Sequence, residues 1–276
     1  MANSLQVLAE THYENFPVGS FFLKEELRRP IRLVYTFARV ADDIADEGND
    51  STEARLQRLD DWEGELKNAM AGKTGIPFFQ ELAETAAKHA IPPALFFDLI
   101  KAFRMDSMGK EYNTFNDLLF YCRHSANPIG RILLHIFNCS NDETCRPSDS
   151  ICTALQLANF WQDLSVDIER NRVYIPREDF DRFGLTLAEL KNGRGTDRIH
   201  RLLKFQVERA RKFFHDGKPL FELIDNRFAF ELRLTYNGGM RILEKVESLG
   251  GAVLHRRPVV TKYDWALIGI RSFIAR

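Results

Sequence analysis

The chain has 276 residues, a formal net charge of −1 at neutral pH, 45% apolar and 28% charged side chains. That length supports one large core or two small ones, and no stretch reads as a linker, so one domain over residues 1–276 is expected. Lys and Arg alternate with acids along the whole length, which argues against a nucleic-acid partner. The four cysteines, Cys122, Cys139, Cys145 and Cys152, lack Cys-x-x-Cys spacing and read as reduced and buried. No charged leader precedes an apolar run, and no segment approaches the ~20 apolar residues of a spanning helix, so a cytoplasmic protein is expected.

In chain order, a short helix is predicted over Ser4–Asn15, ended by the turn Phe16-Pro17-Val18-Gly19-Ser20. The next helix carries Pro30 early, runs through Val34, Tyr35 and Phe37, and stops near Gly48-Asn49-Asp50. Asp50 or Ser51 then caps an amphipathic helix over Thr52–Met70. Shorter helices follow over Pro77–His89 and Pro92–Met105. Thr114-Phe115-Asn116-Asp117 caps a long apolar helix to Phe137, kinked at Pro128 and Gly130. A further helix runs from Ser148 to Glu169, and Arg172-Val173-Tyr174-Ile175-Pro176 is too short and proline-limited to continue it. Helices over Arg177–Phe183, Leu187–Leu190, Asp197–Phe214 and Glu231–Leu249 precede a last one from Thr261. That last helix, to Arg276, reads as an amphipathic packed element, with peripheral rest on a membrane as the alternative. No run alternates with period 2 long enough to build a sheet. The fold class is therefore all-α, a helical bundle around a central cavity.

Two stripes carry the chemistry. In the segment from Leu155 to Asp167, Asn159, Asp163 and Asp167 recur every four residues and share one helical face, with Gln156 one turn upstream. In the segment from Phe37 to Asp46, Asp42 and Asp46 repeat the spacing and Arg39 lies one turn before them. Rows of carboxylates on otherwise apolar helices cost several kcal/mol per ion unless a cation answers them. A di-iron bundle needs Glu-x-x-His pairs, which are absent, and glycoside hydrolysis does not require two ordered rows. A diphosphate held by Mg²⁺ fits both, because Mg²⁺ takes one or two carboxylates, keeps several waters and draws other ligands from phosphate. Asp42, Asp46, Asn159, Asp163 and Asp167 are the candidate metal ligands, and the four aspartates the candidate catalytic residues. Ionisation of the diphosphate leaves a carbocation that requires an apolar, aromatic, mostly dry cavity. Of the 22 phenylalanines most are core packing; Phe16, Phe21, Phe22 and Tyr35, close to the first row in sequence, are the candidates for the cavity.

These residues resemble the squalene and phytoene synthase family, head-to-head prenyl synthases of the all-α isoprenoid synthase fold. The two Asp-x-x-x-Asp rows and Gln156-Leu157-Ala158-Asn159 match its motifs. The resemblance implies that His12 and Asn15, in the opening His-Tyr-Glu-Asn-Phe, touch diphosphate. It likewise implies substrate contacts for Arg39, Tyr121, Gln156 and the segment holding Arg172 and Tyr174. The stretches from Glu14 to Ser20, Tyr121 to Gly130 and Asn159 to Asp163 resemble the bacterial hydroxysqualene synthase branch. Phytoene-type members usually have Val-Ala-Gly where Ser125-Ala126-Asn127 stands, and Arg where Gln162 stands. That branch implies Mg²⁺-dependent ionisation and rearrangement of presqualene diphosphate, with water quenching the cation to hydroxysqualene and no NADPH. Arg123, His124 and Asn127 add polar groups to a core-like helix. They are candidates for that water step, His124 reading first as a satisfied core histidine. The competing readings are formation of presqualene diphosphate or squalene from farnesyl diphosphate, and a non-catalytic assembly or lipid-carrying protein of the same fold.

Overall fold

The computed structural model describes residues 24–192 and 197–274. The predicted helix Ser4–Asn15, and with it His12, Asn15, Phe16, Phe21 and Phe22, lies outside the described residues. Within them the helices are α1 (Glu25–Asp46), α2 (Thr52–Met70), α3 (Pro77–Lys88), α4 (Ala94–Ser107), α5 (Phe115–Ser125), α6 (Asn127–Ile136) and α7 (Asp142–Gln162). They continue as α8 (Leu164–Glu169), α9 (Arg177–Phe183), α10 (Leu187–Lys191), α11 (Asp197–Gly217), α12 (Leu220–Leu223) and α13 (Asn226–Leu249). A 3₁₀ turn, Gly250–Leu254, then leads to α14 (Lys262–Ile274). No strand occurs among the described residues.

Several expected boundaries move, each for a local reason. α1 begins at Glu25, so Pro30 sits inside it. A proline there removes one main-chain bond near the start, which the rest of a 22-residue helix tolerates. α7 begins at Asp142 rather than Ser148, because Asn141 Oδ1 accepts from the main-chain N–H of Glu143 and Thr144 at 2.9 Å each, a cap upstream of Pro147. α13 starts at Asn226, five residues before Glu231, because Asp225 caps it through Arg227 N (3.0 Å) and Phe228 N (3.2 Å). The kink expected at Pro128 is a full break at Ala126, with Pro128 placed near the N-terminus of α6, where its missing N–H is harmless. The helix of the second acidic row is likewise interrupted at Asp163, between α7 and α8. Of the four cysteines only Cys122 is fully buried; Cys139, Cys145 and Cys152 are of intermediate exposure.

The described chain forms two compact units. One takes residues 24–110 and 123–145, the other residues 111–122 and 146–274. In the first, α1 buries Ile31, Val34, Phe37, Ala41, Ile44 and Ala45 on one face. Phe37 stacks on Trp62 of α2 at 5.7 Å between ring centroids and meets Phe96 of α4 edge-on at 5.3 Å. Trp62 in turn packs edge-on against Phe79 of α3 at 4.6 Å, so one aromatic chain ties four helices.

In the second unit α7 packs against glycines. A Cβ added at Gly217 in α11 would stand 2.4 Å from Ile151 Cγ1 and 2.9 Å from Pro147 O. One added at Gly239 in α13 would stand 2.5 Å from Phe214 Cζ and 2.9 Å from Leu155 Cδ2. Both glycines therefore let backbones approach α7 closely. Buried Asp179 in α9 is held by Gln206 Nε2 at 2.8 Å and by both terminal nitrogens of Arg209 at 2.9 and 3.0 Å. The guanidinium also lies over the Phe115 ring, 3.9 Å from its centroid.

Two Thr-x-x-Asp boxes open helices in this unit. Thr114 and Asp117 cap α5 reciprocally at 2.9 and 3.2 Å, as the sequence predicts. Thr261 and Asp264 repeat the pattern at α14, where Asp264 also accepts Arg241 Nε at 2.7 Å and Lys245 Nζ at 2.6 Å from α13. Burial acts to raise the Asp264 pKa, but Lys245, the Thr261 amide and hydroxyl, and Arg241 outweigh it and hold the carboxyl well below the usual range. A depressed carboxylate contributes stability above its unfolded value of about 3.9 and loses it as pH falls through the folded value. Asp264→Asn is therefore expected to lower unfolding stability at pH 7 by about 2 kcal/mol. The gap to the unsubstituted protein should close in urea titrations carried below pH ~4.

Candidate active site

The first acidic row lies at the wrong end of its helix. Asp42 and Asp46 occupy the last turns of α1, where the macrodipole is negative, and that helix has no basic residue in its last turn. Two arginines answer the misplaced charge. Arg55 from α2 donates to the carbonyls of Ala45 and Gly48 at 2.9 Å each. Arg39 lies within 2.7 Å of Asp43 Oδ1, 3.1 Å of Glu47 Oε1 and 3.4 Å of Asp42 Oδ2. Burial acts to lower the Arg39 pKa, yet Asp43, Asp42 and Glu47, with Tyr35 one turn upstream, raise it overall. Asp43, set apart from the Asp42/Asp46 stripe in sequence, is thus the nearest carboxylate to that guanidinium. The Arg39 Nε remains buried without an acceptor.

The second row keeps its register although the helix is interrupted. Asp163 N donates to Asn159 O at 2.9 Å and Asp167 N to Asp163 O at 2.8 Å, so the four-residue spacing that aligns Asn159, Asp163 and Asp167 is intact. Trp161, Phe160 and Leu164 are buried while Asn159, Asp163 and Asp167 are partly exposed, which aims the polar stripe away from the core. Gln156, one turn earlier on α7, is also partly exposed.

A residue that sequence reasoning missed closes on this row. Arg257, 94 positions after Asp163, donates to its carboxylate through Nε and, at 3.4 Å, through Nη2. The neighbouring Pro258 carbonyl accepts Gln162 Nε2 at 2.8 Å, so the loop after the 3₁₀ turn is fastened to the end of α7 at two points. The signal available was weak: two arginines and a proline in an apolar stretch, with nothing local to name their partner.

Behind the second row stands an aromatic layer. Tyr174 stacks on Phe160 at 3.8 Å with 12° between planes, and Tyr121 lies 5.8 Å from Phe160 and 5.9 Å from Tyr174. Tyr112, which sequence reasoning did not select, stacks on Tyr174 at 5.8 Å. Main-chain bonds from Arg177 N to Tyr112 O (2.9 Å) and Glu178 N to Asn113 O (3.0 Å) hold the Tyr174 segment there. Arg172, half-buried, begins that segment and gives its N–H to Asp167 O at 2.8 Å. Tyr121, Tyr174, Arg172 and Gln156 therefore belong with the second row, whereas Tyr35 and Arg39 belong with the first. Arg123 is exposed at the end of α5, and His124 lies 3.1 Å from Lys101 Nζ and 3.7 Å from Asp98 Oδ1.

Among the described residues no cluster of three or more His, Cys, Asp or Glu side chains forms a metal cage. Mg²⁺ takes one or two protein carboxylates and completes its octahedron with water and phosphate oxygens. Acids that oppose a helix dipole, and a second row already answered by an arginine, are a donor set suited to cations. The residues therefore fit a divalent metal bound together with an anionic ligand.

The squalene/phytoene synthase family model matches residues 9–264, and the chain belongs to that family of synthases. Over 237 residues it is 33% identical to the hydroxysqualene synthase of Rhodopseudomonas palustris, spanning 85% of this chain and 80% of that protein. It is 32% identical over 225 residues to the phytoene synthase of Mycobacterium tuberculosis, spanning 80% and 74%. The crystal structure of squalene synthase HpnC from Alicyclobacillus acidocaldarius matches with a TM-score of 0.84 at 40% identity, over 90% of this chain and 93% of that one. A dehydrosqualene synthase solved with a ligand shares the fold, with a TM-score of 0.83 at 22% identity, over 98% of this chain and 94% of that one. The all-α isoprenoid synthase fold anticipated from the sequence is the fold of this protein.

The electrostatics of the first row yield a test that needs no substrate. Asp46→Asn removes a charge opposed by the helix dipole. The rise in melting temperature that Mg²⁺ gives the unsubstituted protein should shrink in the variant when both are followed by circular dichroism.

Proposed function

We propose that this protein is a Mg²⁺-dependent hydroxysqualene synthase, the whole chain acting as one synthase domain. The observation that carries the reading is the intact stripe Gln156, Asn159, Asp163 and Asp167, backed by an aromatic layer, in a chain related to a hydroxysqualene synthase over 85% of its length. In this reading Asp42 and Asp46 of the first row and Asn159, Asp163 and Asp167 of the second would be the metal ligands, and presqualene diphosphate is the substrate. Arg39, Arg257, Arg172, His12 and Asn15 are the candidate donors to the diphosphate. Bound Mg²⁺ lowers the energy of the charge that gathers on the leaving oxygen.

The steps balance without a reductant. The carbon–oxygen bond of the substrate breaks, its electron pair leaves with diphosphate, and a cyclopropylcarbinyl cation remains. Tyr121, Phe160 and Tyr174 form an aromatic wall behind the second row, suited to shielding the cation from early capture, and Phe16 and Tyr35 are the further aromatic candidates carried from the sequence. After rearrangement a water adds to the final cation and gives up one proton, leaving hydroxysqualene. Arg123, His124 and Asn127 are sequence candidates for that water step, with His124 held beside Lys101 and Asp98 as a satisfied histidine would be. The reaction requires no NADPH, and the site of action is cytoplasmic.

A second reading has its own support, because the HpnC structure at 40% identity is that of a squalene synthase. In that reading two farnesyl diphosphates condense to presqualene diphosphate or proceed to squalene. Product analysis by mass spectrometry separates the two. With presqualene diphosphate, Mg²⁺ and no NADPH, the expected products are hydroxysqualene and free diphosphate. Unreacted substrate in that assay, with farnesyl diphosphate consumed in a parallel one, would favour the second reading. Asp163→Asn and Asp42→Asn should each lower turnover about 10²-fold or more while leaving the fold intact by circular dichroism.

A further inference from the structure

Helix α14 is built inside out. The residues it turns toward α13 are Asp264, Ile268 and Ser272, each no more than 1% exposed and spaced by four. Asp264 is clamped by Arg241 and Lys245, Ser272 Oγ accepts Asn237 Nδ2 at 2.9 Å, and Arg271 pairs with Glu244 at 2.6 Å. The outward stripe is apolar and aromatic. Tyr263 is 81% exposed, Phe273 76% and Ile274 74%, with Ile270 and flanking Trp265 each more than half exposed. Val259, in the loop before the helix, is also exposed. Large apolar groups gathered on one face while polar ones are buried against the protein mark a surface made for a non-aqueous neighbour.

The charge pattern selects the neighbour. His255, Arg256 and Lys262 are exposed beside the stripe, and from residue 248 to residue 274 the single acid is Asp264, which is buried. A second copy packed by two-fold symmetry would bring the same cations together. An anionic lipid surface complements them, and aromatics at the level of the headgroups are the usual companions of such a helix. At 13 residues α14 is too short to cross a bilayer, and no helix among the described residues is long and apolar enough to do so. We propose that α14 lies in the interface of an anionic membrane, with Tyr263, Ile270, Phe273 and Ile274 in the lipid and Arg256 and Lys262 on the headgroups. The loop that fastens Arg257 to Asp163 runs directly into this helix, so the docked face is covalently close to the second acidic row. This inference does not depend on which prenyl diphosphate the protein converts.

Binding of the full chain to phosphatidylcholine vesicles, with and without phosphatidylglycerol, tests it by co-sedimentation and tryptophan emission. Trp161 is buried and Trp62 is packed among phenylalanines, so a blue shift on adding vesicles reports Trp265. The expected result is co-sedimentation that requires phosphatidylglycerol, weakens with salt and is accompanied by that shift. Ile270→Glu with Phe273→Glu should weaken partition about tenfold or more, and Arg256→Glu with Lys262→Glu should abolish the preference for the anionic lipid. Both pairs replace exposed residues, so their melting curves should match that of the unsubstituted protein. Failure to bind phosphatidylglycerol vesicles at low salt would overturn the proposal. So would binding equal to wild type in the Ile270/Phe273 variant. A dimer in sedimentation velocity that this variant converts to monomer, with no vesicle binding, would assign the face to a second copy instead.

Discussion

Carboxylates repel one another and are costly beside apolar helices, and that constraint governs the parts of this protein that matter for its chemistry. Asp42, Asp43, Asp46 and Glu47 crowd the C-terminal end of α1, where the helix dipole adds to the repulsion. Arg39 and Arg55 offset the local field with side-chain and main-chain contacts, respectively. At the second row Arg257 performs the corresponding service for Asp163 from far along the chain. A fold optimised only for stability would carry neither row, and departures from local rules of this kind are where function is expected to reside.

The contrast with Asp179 and Asp264 sharpens the point. Both are acids almost wholly removed from solvent, and both are fully answered by arginine, lysine, glutamine or threonine donors. Their role is to join helices: Asp179 links α9 to α11, and Asp264 links α14 to α13. The row aspartates are only partly exposed, are arranged at helical spacing, and face away from the buried side of their helices. Burial thus separates the structural acids from the row aspartates, a distinction that net charge and spacing do not make.

Much of this was legible in the sequence because helical periodicity is local. The two four-residue repeats, the Thr114/Asp117 cap and a distortion near Pro128, a full break in place of the expected kink, all follow from residues within one or two turns of each other. Boundaries failed where a cap lay outside the apolar pattern, as with Asn141 and Asp225, whose side chains start helices before the first periodic residue. Arg257 and Tyr112 were invisible for a different reason. Their partners are 94 and 62 positions away, and no local feature encodes a contact made only when the chain closes on itself. The inversion of α14 was hidden in a third way: the sequence shows an amphipathic helix, and only the packing reveals which side faces the protein.

The two glycines that admit α7 set the tolerance of the whole site. Gly217 meets α7 at Ile151, twelve residues before Asp163, which at 1.5 Å per residue is a lever arm of about 18 Å. A pivot of about three degrees at that end, of the kind an extra methyl group would force, swings the carboxylate by about 1 Å, an error able to slow a reaction about 10²-fold. The aim of the acidic face is therefore decided at a fulcrum remote from any reacting atom, where a loss of activity would leave every residue of the site unchanged.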